Sequence, residues 1–351
     1  MGRRKKKEPL SLLLRPENVL KESCAMTRDF AYMQITHNDM TQWSKLQKQL
    51  FMLALEEIDW TRKGNSNVIE LDHKEIAFRL GWDYSPENER KIKQVIEEEI
   101  SQMHRNSYVK LKDPVSGTWY SDHIIASAGG NSLMTRVVLG QLFMNHFEGM
   151  YQTQKETGLP FPVIMSTDVL SFKSNLTYDF YLKLRLEGAV GGAINTKELS
   201  TAEIKKILHM TEKSYTREVV DKKTGEKKVK FDRTNFEKHV LTIILEDINN
   251  GETIQIVPTP DGKLFEKVYL RGQVYRYIIR YRIFDINDIK RHRKKLLKEN
   301  KKTEDITAEL AAMTPEEFNA FIKNELASEG DYIETELADN VDSCLDFQLA
   351  L

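Results

Sequence analysis

The chain has 351 residues, of which 40% are hydrophobic and 30% are charged, a composition typical of a globular protein with about two domains. No apolar run reaches the length of a membrane span, and the N-terminus from Met1 onward has no apolar secretory signal. Two cysteines, Cys24 and Cys344, are too few for a disulfide framework or a zinc cluster, so we expect a reducing, cytoplasmic environment.

The formal net charge of −1 hides an uneven distribution of charge along the chain. Residues 303–351 hold 13 acidic residues and one basic residue, a net charge of −12. Residues 201–302 hold 25 basic and 15 acidic residues, a net charge of +10. A basic region beside an acidic tail favours nucleic acid as a partner, although the overall charge alone would argue against it.

From Thr41 onward, apolar residues recur at the spacing of a helix, and a short strand is predicted to follow at residues 68–71. Asp72 is predicted to cap a short helix, and Ser85-Pro86 to begin a longer one. Alternating apolar residues on both sides of a turn then predict a hairpin over residues 108–125.

The same order of elements is predicted again further along the chain. A helix covers Asn175–Glu187, and Ser200-Thr201-Ala202-Glu203 is a capping box that begins the next helix. After a basic insertion, Thr234-Asn235-Phe236-Glu237 is predicted to be a second capping box. Three strands follow, at residues 253–257, 264–269 and 274–284.

The order helix, strand, two helices and hairpin is typical of a winged helix-turn-helix domain. We therefore predict an α+β protein with two tandem winged helix-turn-helix domains and a C-terminal acidic, partly disordered tail. The predicted bounds are a basic N-terminal arm at 1–36, a first winged helix at 37–165, a second at 166–302 and the tail at 303–351.

The sequence contains no pattern typical of an enzyme active site. The cluster Gly188, Gly191 and Gly192 lacks the lysine of a phosphate-binding loop and predicts a turn that ends a helix. Glu97 and Glu98 are consecutive on a helix and therefore diverge, which is typical of a solvated face. We predict a protein that is not an enzyme, with no metal and no cofactor.

The helix predicted at residues 234–249 has a polar side suited to DNA recognition. Asparagine can bond adenine through two hydrogen bonds, lysine can reach guanine or phosphate, and threonine can contact a thymine methyl group. The alternative is that every amphipathic helix has a solvated polar side. The candidate DNA-binding residues on this segment are Arg233, Asn235, Lys238, His239 and Thr242.

Basic residues near this helix strengthen the DNA-binding interpretation, because cations on neighbouring hairpins can contact phosphate. A lysine-rich hairpin tip precedes the helix, and a candidate wing follows it. The equivalent helix of the first unit has polar residues near its start, but Glu97 and Glu98 would repel phosphate further along it. The remaining candidates are Lys222, Lys223, Lys227 and Lys228 on the tip, Lys263, Lys267 and Arg271 on the wing, and Arg90, Lys91 and Gln94 in the first unit.

These residues resemble a known family, the iteron-binding plasmid replication initiators of the RepB/RepE type. Asp232-Arg233-Thr234-Asn235-Phe236-Glu237-Lys238-His239-Val240-Leu241 is similar to the family's Asp-Phe-Lys-Arg-Arg-Val-Leu, and Asp247-Ile248-Asn249 resembles its Glu-Ile-Asn ending. The helix beginning at Ser174 and the order of elements over residues 41–285 also fit. Phe180-Tyr181 departs from the typical Arg-Leu-Tyr.

The resemblance implies a role in initiating plasmid DNA replication. Such proteins bind direct repeats at a plasmid origin as monomers, help to open the duplex and recruit host replication proteins such as a helicase, an initiator or the sliding clamp. As dimers, many repress their own promoter, and the first domain commonly supplies the dimer interface. The implied partners are double-stranded origin DNA, host replication proteins and a second copy in equilibrium with the monomer, without a membrane.

Two other functional classes remain open. One is a winged-helix transcriptional repressor without replication activity, and the other is a scaffold whose winged helices bind proteins. The tail also has two interpretations. Gln348-Leu349-Ala350-Leu351 loosely resembles a peptide that binds the sliding clamp, and the acidic residues could instead compete with DNA for the basic region.

Overall fold

A computed structural model describes residues 22–25, 42–59, 64–112, 119–131, 133–141, 143–145, 163–220 and 227–298. Residues 14–293 form one compact unit, and residues 1–13 and 294–351 belong to a second. The described residues combine helices and strands, which confirms a mixed α and β fold. Within the described residues, no helix is both long and apolar enough to cross a membrane.

The segment predicted as an N-terminal arm contains a short strand, β1 (Ser23–Ala25). This strand pairs antiparallel with Val163–Met165, which places Cys24 opposite Ile164. Cys24 is buried, and burial raises the pKa of its thiol. The sequence pattern missed β1 because three residues show no alternation and the partner strand lies far along the chain. The basic cluster at the N-terminus lies outside the described residues.

The first half of the chain continues in the predicted order, with α1 (Lys45–Glu56), β2 (Val68–Asp72), α2 (His73–Arg79) and α3 (Pro86–Arg105). Ser44 and Gln47 form a capping box, so α1 begins four residues later than Thr41. The Asp72 side chain accepts the backbone N–H of Glu75, which confirms the predicted cap of α2. Pro86 is the first residue of α3, as predicted.

The predicted hairpin is confirmed, since β3 (Tyr108–Lys112) pairs antiparallel with β4 (Trp119–His123). The strands that complete a sheet with β2 come later, at β5 (Ile125–Gly130) and β6 (Met134–Leu139), in the order β2-β6-β5. The sequence did not predict this pair. Small residues from Ala126 to Gly130 are all exposed, so β5 has no apolar alternation to recognise.

The second half is close to its prediction, because its caps and apolar alternation are strong local signals. The capping box of Ser200 and Glu203 forms both of its hydrogen bonds. The elements are β7 (Val163–Met165), α4 (Ser166–Ser171), α5 (Asn175–Glu187), β8 (Asn195–Leu199), α6 (Thr201–Ile207), β9 (Thr216–Val220) and β10 (Lys227–Phe231).

A long helix, α7, follows β10 and consists of Arg233–Phe236, a π-helical turn at Glu237–Leu241, and Thr242–Asn249. A sheet then forms from β11 (Ile254–Ile256), β12 (Glu266–Leu270) and β13 (Gln273–Ile283) in the order β11-β13-β12, with β8 also paired to β13. The predicted alternation of β13 is confirmed, since Tyr277, Ile279, Tyr281 and Ile283 are all buried.

Residues 286–298 form a helix. Asp285 sets this start, because its carboxylate accepts the backbone N–H of Asp288 at 2.7 Å. The acidic tail predicted at residues 303–351 lies outside the described residues. The predicted domain bounds stay predictions.

Candidate nucleic-acid interface

The start of α7 differs from the predicted capping box at Thr234, and that prediction is wrong. Asp232 is the N-cap, because its carboxylate accepts the backbone N–H of Asn235 at 3.3 Å and the side-chain amide of Asn235 at 2.9 Å. Thr234 is therefore already helical and exposed. Two overlapping cap sequences are present here, and the one beginning at Asp232 forms.

The π-helical turn at Glu237–Leu241 interrupts α7 after its first turn. The Glu237 carboxylate accepts hydrogen bonds from Lys267 Nζ at 2.5 Å and from Tyr277 Oη at 3.0 Å. Val240, Ile244 and Ile248 of this helix are buried, Leu241 inside the π-turn is also buried, and Ile243 after it is half-exposed. Single π-turns in helices occur frequently at functional sites.

The polar side of α7 faces solvent at the positions nearest its start. Asn235, Lys238 and His239 are exposed, whereas Arg233 and Thr242 are half-buried. The side chains on this face offer hydrogen-bond donors and acceptors.

The lysine-rich insertion is a β-hairpin, β9–β10, whose base packs against α7. The Asp232 N–H donates to the Tyr215 carbonyl at 2.7 Å, and the rings of Tyr215 and Phe231 lie 5.7 and 5.3 Å from the ring of Phe236. These contacts fix the hairpin base relative to α7. Lys227 on β10 is exposed, while Lys222, Lys223 and the Lys228 side chain lie outside the described residues.

Lys205 provides a further constraint on the hairpin base, which no sequence pattern predicted. Its ammonium group donates to the carbonyls of Glu212 at 2.9 Å and Ser214 at 2.6 Å, and lies 4.7 Å from the centre of the Phe231 ring. Lys205 is buried, and burial lowers the pKa of its ammonium group. A cation in the basic region therefore has a structural role.

An open cavity of about 380 Å³ lies between the hairpin base and α7. It brings together two of the predicted residues, Asn235 and His239, with Tyr215, Thr216 and Asp232. Tyr215 has a positive φ of 56°, a conformation that side-chain-bearing residues rarely adopt.

The predicted wing is the hairpin β12–β13, whose two-residue turn consists of Arg271 and Gly272. Arg271 is exposed at the tip. Lys263 forms an exposed ion pair with Asp261, and its hydrogen bond lowers the pKa of that carboxyl group to about 2. Lys267 lies closer to the core, where Glu237 neutralises its charge.

The candidates of the first half lie on α3, separately from the α7 set. Arg90, Lys91 and Gln94 are all exposed. The Gln94 amide donates to Glu98 at 2.8 Å, so the glutamate noted as unfavourable for phosphate contacts is adjacent to this set. Among the described residues, no group of three or more histidine, cysteine or acidic side chains could hold a metal ion.

Neither a protein-family model nor a curated protein matches the sequence, but solved structures do. The crystal structure of the Pi initiator protein in complex with iteron DNA aligns with 75% of this chain and 98% of its own, at 12% identity and a TM-score of 0.52. Domains 2 and 3 of RctB cover 70% of this chain and 81% of their own at 13% identity, with a TM-score of 0.34, too low to establish a shared fold. The chain has the fold of the Pi initiator, so the predicted resemblance is confirmed at the level of fold.

Proposed function

We propose that this chain is a plasmid replication initiator that binds direct repeats at an origin through two winged helices, at residues 37–165 and 166–302. The observation that carries the proposal is the exposed face of Asn235, Lys238 and His239 on α7, a helix joined to a basic hairpin on one side and a wing on the other. The fold shared with the Pi initiator, which was solved with iteron DNA, supports it.

In the proposed mechanism, the start of α7 enters the major groove of duplex DNA, and its exposed side chains contact base edges. Arg271 on the wing and the lysines of the β9–β10 hairpin contact phosphates on either side of the groove. The exposed start of α3 contacts a second segment of the same repeat. Binding, rather than catalysis, is the activity of the protein.

The wider role follows from this binding. Monomers on adjacent repeats would open the duplex and recruit host replication proteins, and dimers would repress the protein's own promoter and so contribute to copy control. A cytoplasmic location is part of this proposal.

Salt dependence of DNA binding tests the proposal directly. Neutralising about 6–10 phosphates makes affinity fall roughly 10³–10⁵-fold between 50 and 200 mM salt. Lys238→Ala should weaken binding to DNA that flanks the coding sequence, whereas Lys183→Ala, the same charge loss on α5, should not. Affinity that is indifferent to salt, or equally affected by both substitutions, would contradict the proposal.

A replication assay distinguishes an initiator from a transcriptional repressor. A plasmid without its own initiator receives the coding sequence and its flanking DNA. Autonomous replication that is lost with Lys238→Ala and kept with Lys183→Ala supports an initiator. Repression of a reporter without replication supports the alternative.

A further inference from the structure

Asp232 makes two different hydrogen bonds to Asn235, one with each carboxylate oxygen. Oδ1 accepts the backbone N–H at 3.3 Å, which caps α7, and Oδ2 accepts one side-chain amide N–H at 2.9 Å. A cap needs only the first bond, because a single serine or threonine oxygen provides it elsewhere. The second bond determines which way the exposed amide of Asn235 points.

This second bond leaves Asn235 with one amide N–H and its carbonyl oxygen free. In the major groove, adenine presents an acceptor, N7, beside a donor, the N6 amino group. One N–H and one carbonyl oxygen match that pair. Guanine presents two acceptors at the same place, N7 and O6, and the carbonyl oxygen of Asn235 would face one of them without a hydrogen bond.

The surroundings of Asn235 fix the position of its partner Asp232 and leave open space in front of the amide. The cavity of about 380 Å³ in front of it is lined by Tyr215, Thr216 and His239 as well as by the pair itself. The Tyr215 carbonyl accepts the backbone N–H of Asp232 at 2.7 Å, which ties the capping residue to the hairpin. An amide that is already oriented loses less conformational entropy when it binds.

We infer that Asp232 is a positioning residue that orients Asn235 to recognise adenine at one base pair of the bound DNA. The inference rests on the proposed function, and it adds the base that α7 distinguishes and the residue that enforces the choice. Asp232 itself contacts no base.

Two substitutions separate the orienting bond from the cap. Asp232→Ser keeps one oxygen, which the backbone N–H of Asn235 occupies, and removes the second acceptor. Asp232→Asn keeps the cap and the shape but presents an N–H where the Asn235 amide needs an acceptor. Asp72→Ser is the matched control, because Asp72 caps α2 by the same bond to Glu75 at 2.9 Å and is not part of the candidate interface.

The experiment selects binding sites for the full chain from randomised duplex DNA and then measures affinity for each base at every enriched position. We expect Asn235→Ala to reduce the preference for adenine at one base pair by about 5- to 140-fold. Asp232→Ser should reduce it at the same base pair by about two- to tenfold, as the amide loses its orientation. Asp232→Asn should do so at least as strongly, and Asp72→Ser not at all.

Two further results identify the cause. Combining Asp232→Ser with Asn235→Ala should reduce the preference no more than Asn235→Ala alone, and the thermal unfolding midpoint of Asp232→Ser should match that of the wild type. An adenine preference that survives both Asp232 substitutions overturns the inference and leaves DNA binding intact. A wild-type chain that enriches no sequence overturns the inference together with the proposed function.

Discussion

Arg271 occupies a left-handed backbone conformation at the tip of the β12–β13 hairpin, with φ of 50°, and Gly272 beside it has φ of 73°. Positive φ at both central residues is the geometry of a type I′ turn, which favours asparagine and glycine. An arginine at the first position is strained, and its charge stands where a wing would meet phosphate. Under the proposed function, the charge of Arg271 contributes to binding while its side chain costs the turn some stability.

We expect Arg271→Asn to keep or slightly raise stability, by up to about 1 kcal/mol, because asparagine tolerates the left-handed conformation. The same substitution should reduce the slope of log affinity against log salt by about 1, the contribution of one phosphate contact. Urea unfolding and salt titration measure the two effects. Arg271→Lys is the control that keeps the charge; a slope equally reduced in both variants would argue against a simple phosphate contact.

Glu56 is a buried carboxyl group with an unusual protonation equilibrium. Two nitrogens of Arg79 donate to it at 3.1 and 2.9 Å. Burial nevertheless raises the pKa of Glu56 from 4.5 to about 7, with Arg79 opposing the shift. Between pH 4.5 and about pH 7, Glu56 keeps its proton in the folded chain and loses it in the unfolded chain. The free energy of unfolding therefore falls as pH rises through this range.

The free energy of unfolding should therefore fall between pH 5 and pH 8 by about 2–3 kcal/mol through Glu56 alone, since one pKa unit corresponds to about 1.4 kcal/mol. Glu56→Gln cannot titrate, so its unfolding free energy should vary less with pH over that range. Urea unfolding at both pH values gives the comparison. Equal pH dependence in the two proteins would show that Glu56 does not titrate there.

At the scale of elements, the π-turn of α7 is bonded to the β12–β13 hairpin. Glu237, at the first residue of that turn, accepts hydrogen bonds from Lys267 on β12 and from Tyr277 on β13. The Glu237 side chain is only 13% exposed, and Lys267 is its ion-pair partner. Lys267, which was predicted to contact phosphate, therefore links α7 to the β12–β13 hairpin.

A pair of identical substitutions separates structural lysines from those proposed to bind DNA. Lys267→Met leaves the Glu237 carboxylate without its cation and should lower the free energy of unfolding by about 1–3 kcal/mol, with little change in the salt slope. Lys238→Met removes an exposed cation, so it should leave stability within about 0.5 kcal/mol and reduce the salt slope by about 1. If Lys267→Met instead reduced the salt slope and left stability unchanged, Lys267 would belong to the DNA interface.

At the scale of the whole molecule, the two halves of residues 14–293 share buried contacts. Lys48 on α1 donates to both carboxylate oxygens of Asp179 on α5, at 2.9 and 3.0 Å, with 4% and 3% of these side chains exposed. Gln49 donates to the Leu170 carbonyl at 2.9 Å, and β1 pairs with β7. Residues from both halves also belong to one continuous hydrophobic core.

Removing one member of this ion pair should destabilise both halves together. We expect Asp179→Ala to cost about 3–5 kcal/mol, because it leaves the Lys48 ammonium group buried without its partner. The double substitution Lys48→Met and Asp179→Leu should cost less than the single one, since no buried charge remains. Urea unfolding followed by circular dichroism measures both. A double substitution as costly as the sum of the single ones would mean that the pair is not coupled.

The local sequence was sufficient for most helices and for β13. Helix caps and apolar periodicity act within a few residues, so Ser200 with Glu203, Asp72 and Pro86 were recognisable without the fold. Where two local signals overlap, as at Asp232 and Thr234, the sequence does not show which one forms. On α7, the predicted polar residues Asn235, Lys238 and His239 are exposed, and Ile243 after the π-turn is half-exposed.

The sequence by itself determined the periodic elements, the basic region and the polar face of α7, because these depend on residues close together in the chain. Only the tertiary structure decided that β5 and β6 complete the sheet of β2 and that β1 pairs with β7. It also decided which lysines make structural contacts. Lys205 and Lys267 look like any other lysines in the sequence, yet one holds a loop and the other neutralises Glu237. The partners of a side chain come from distant segments, and only folding brings those segments together.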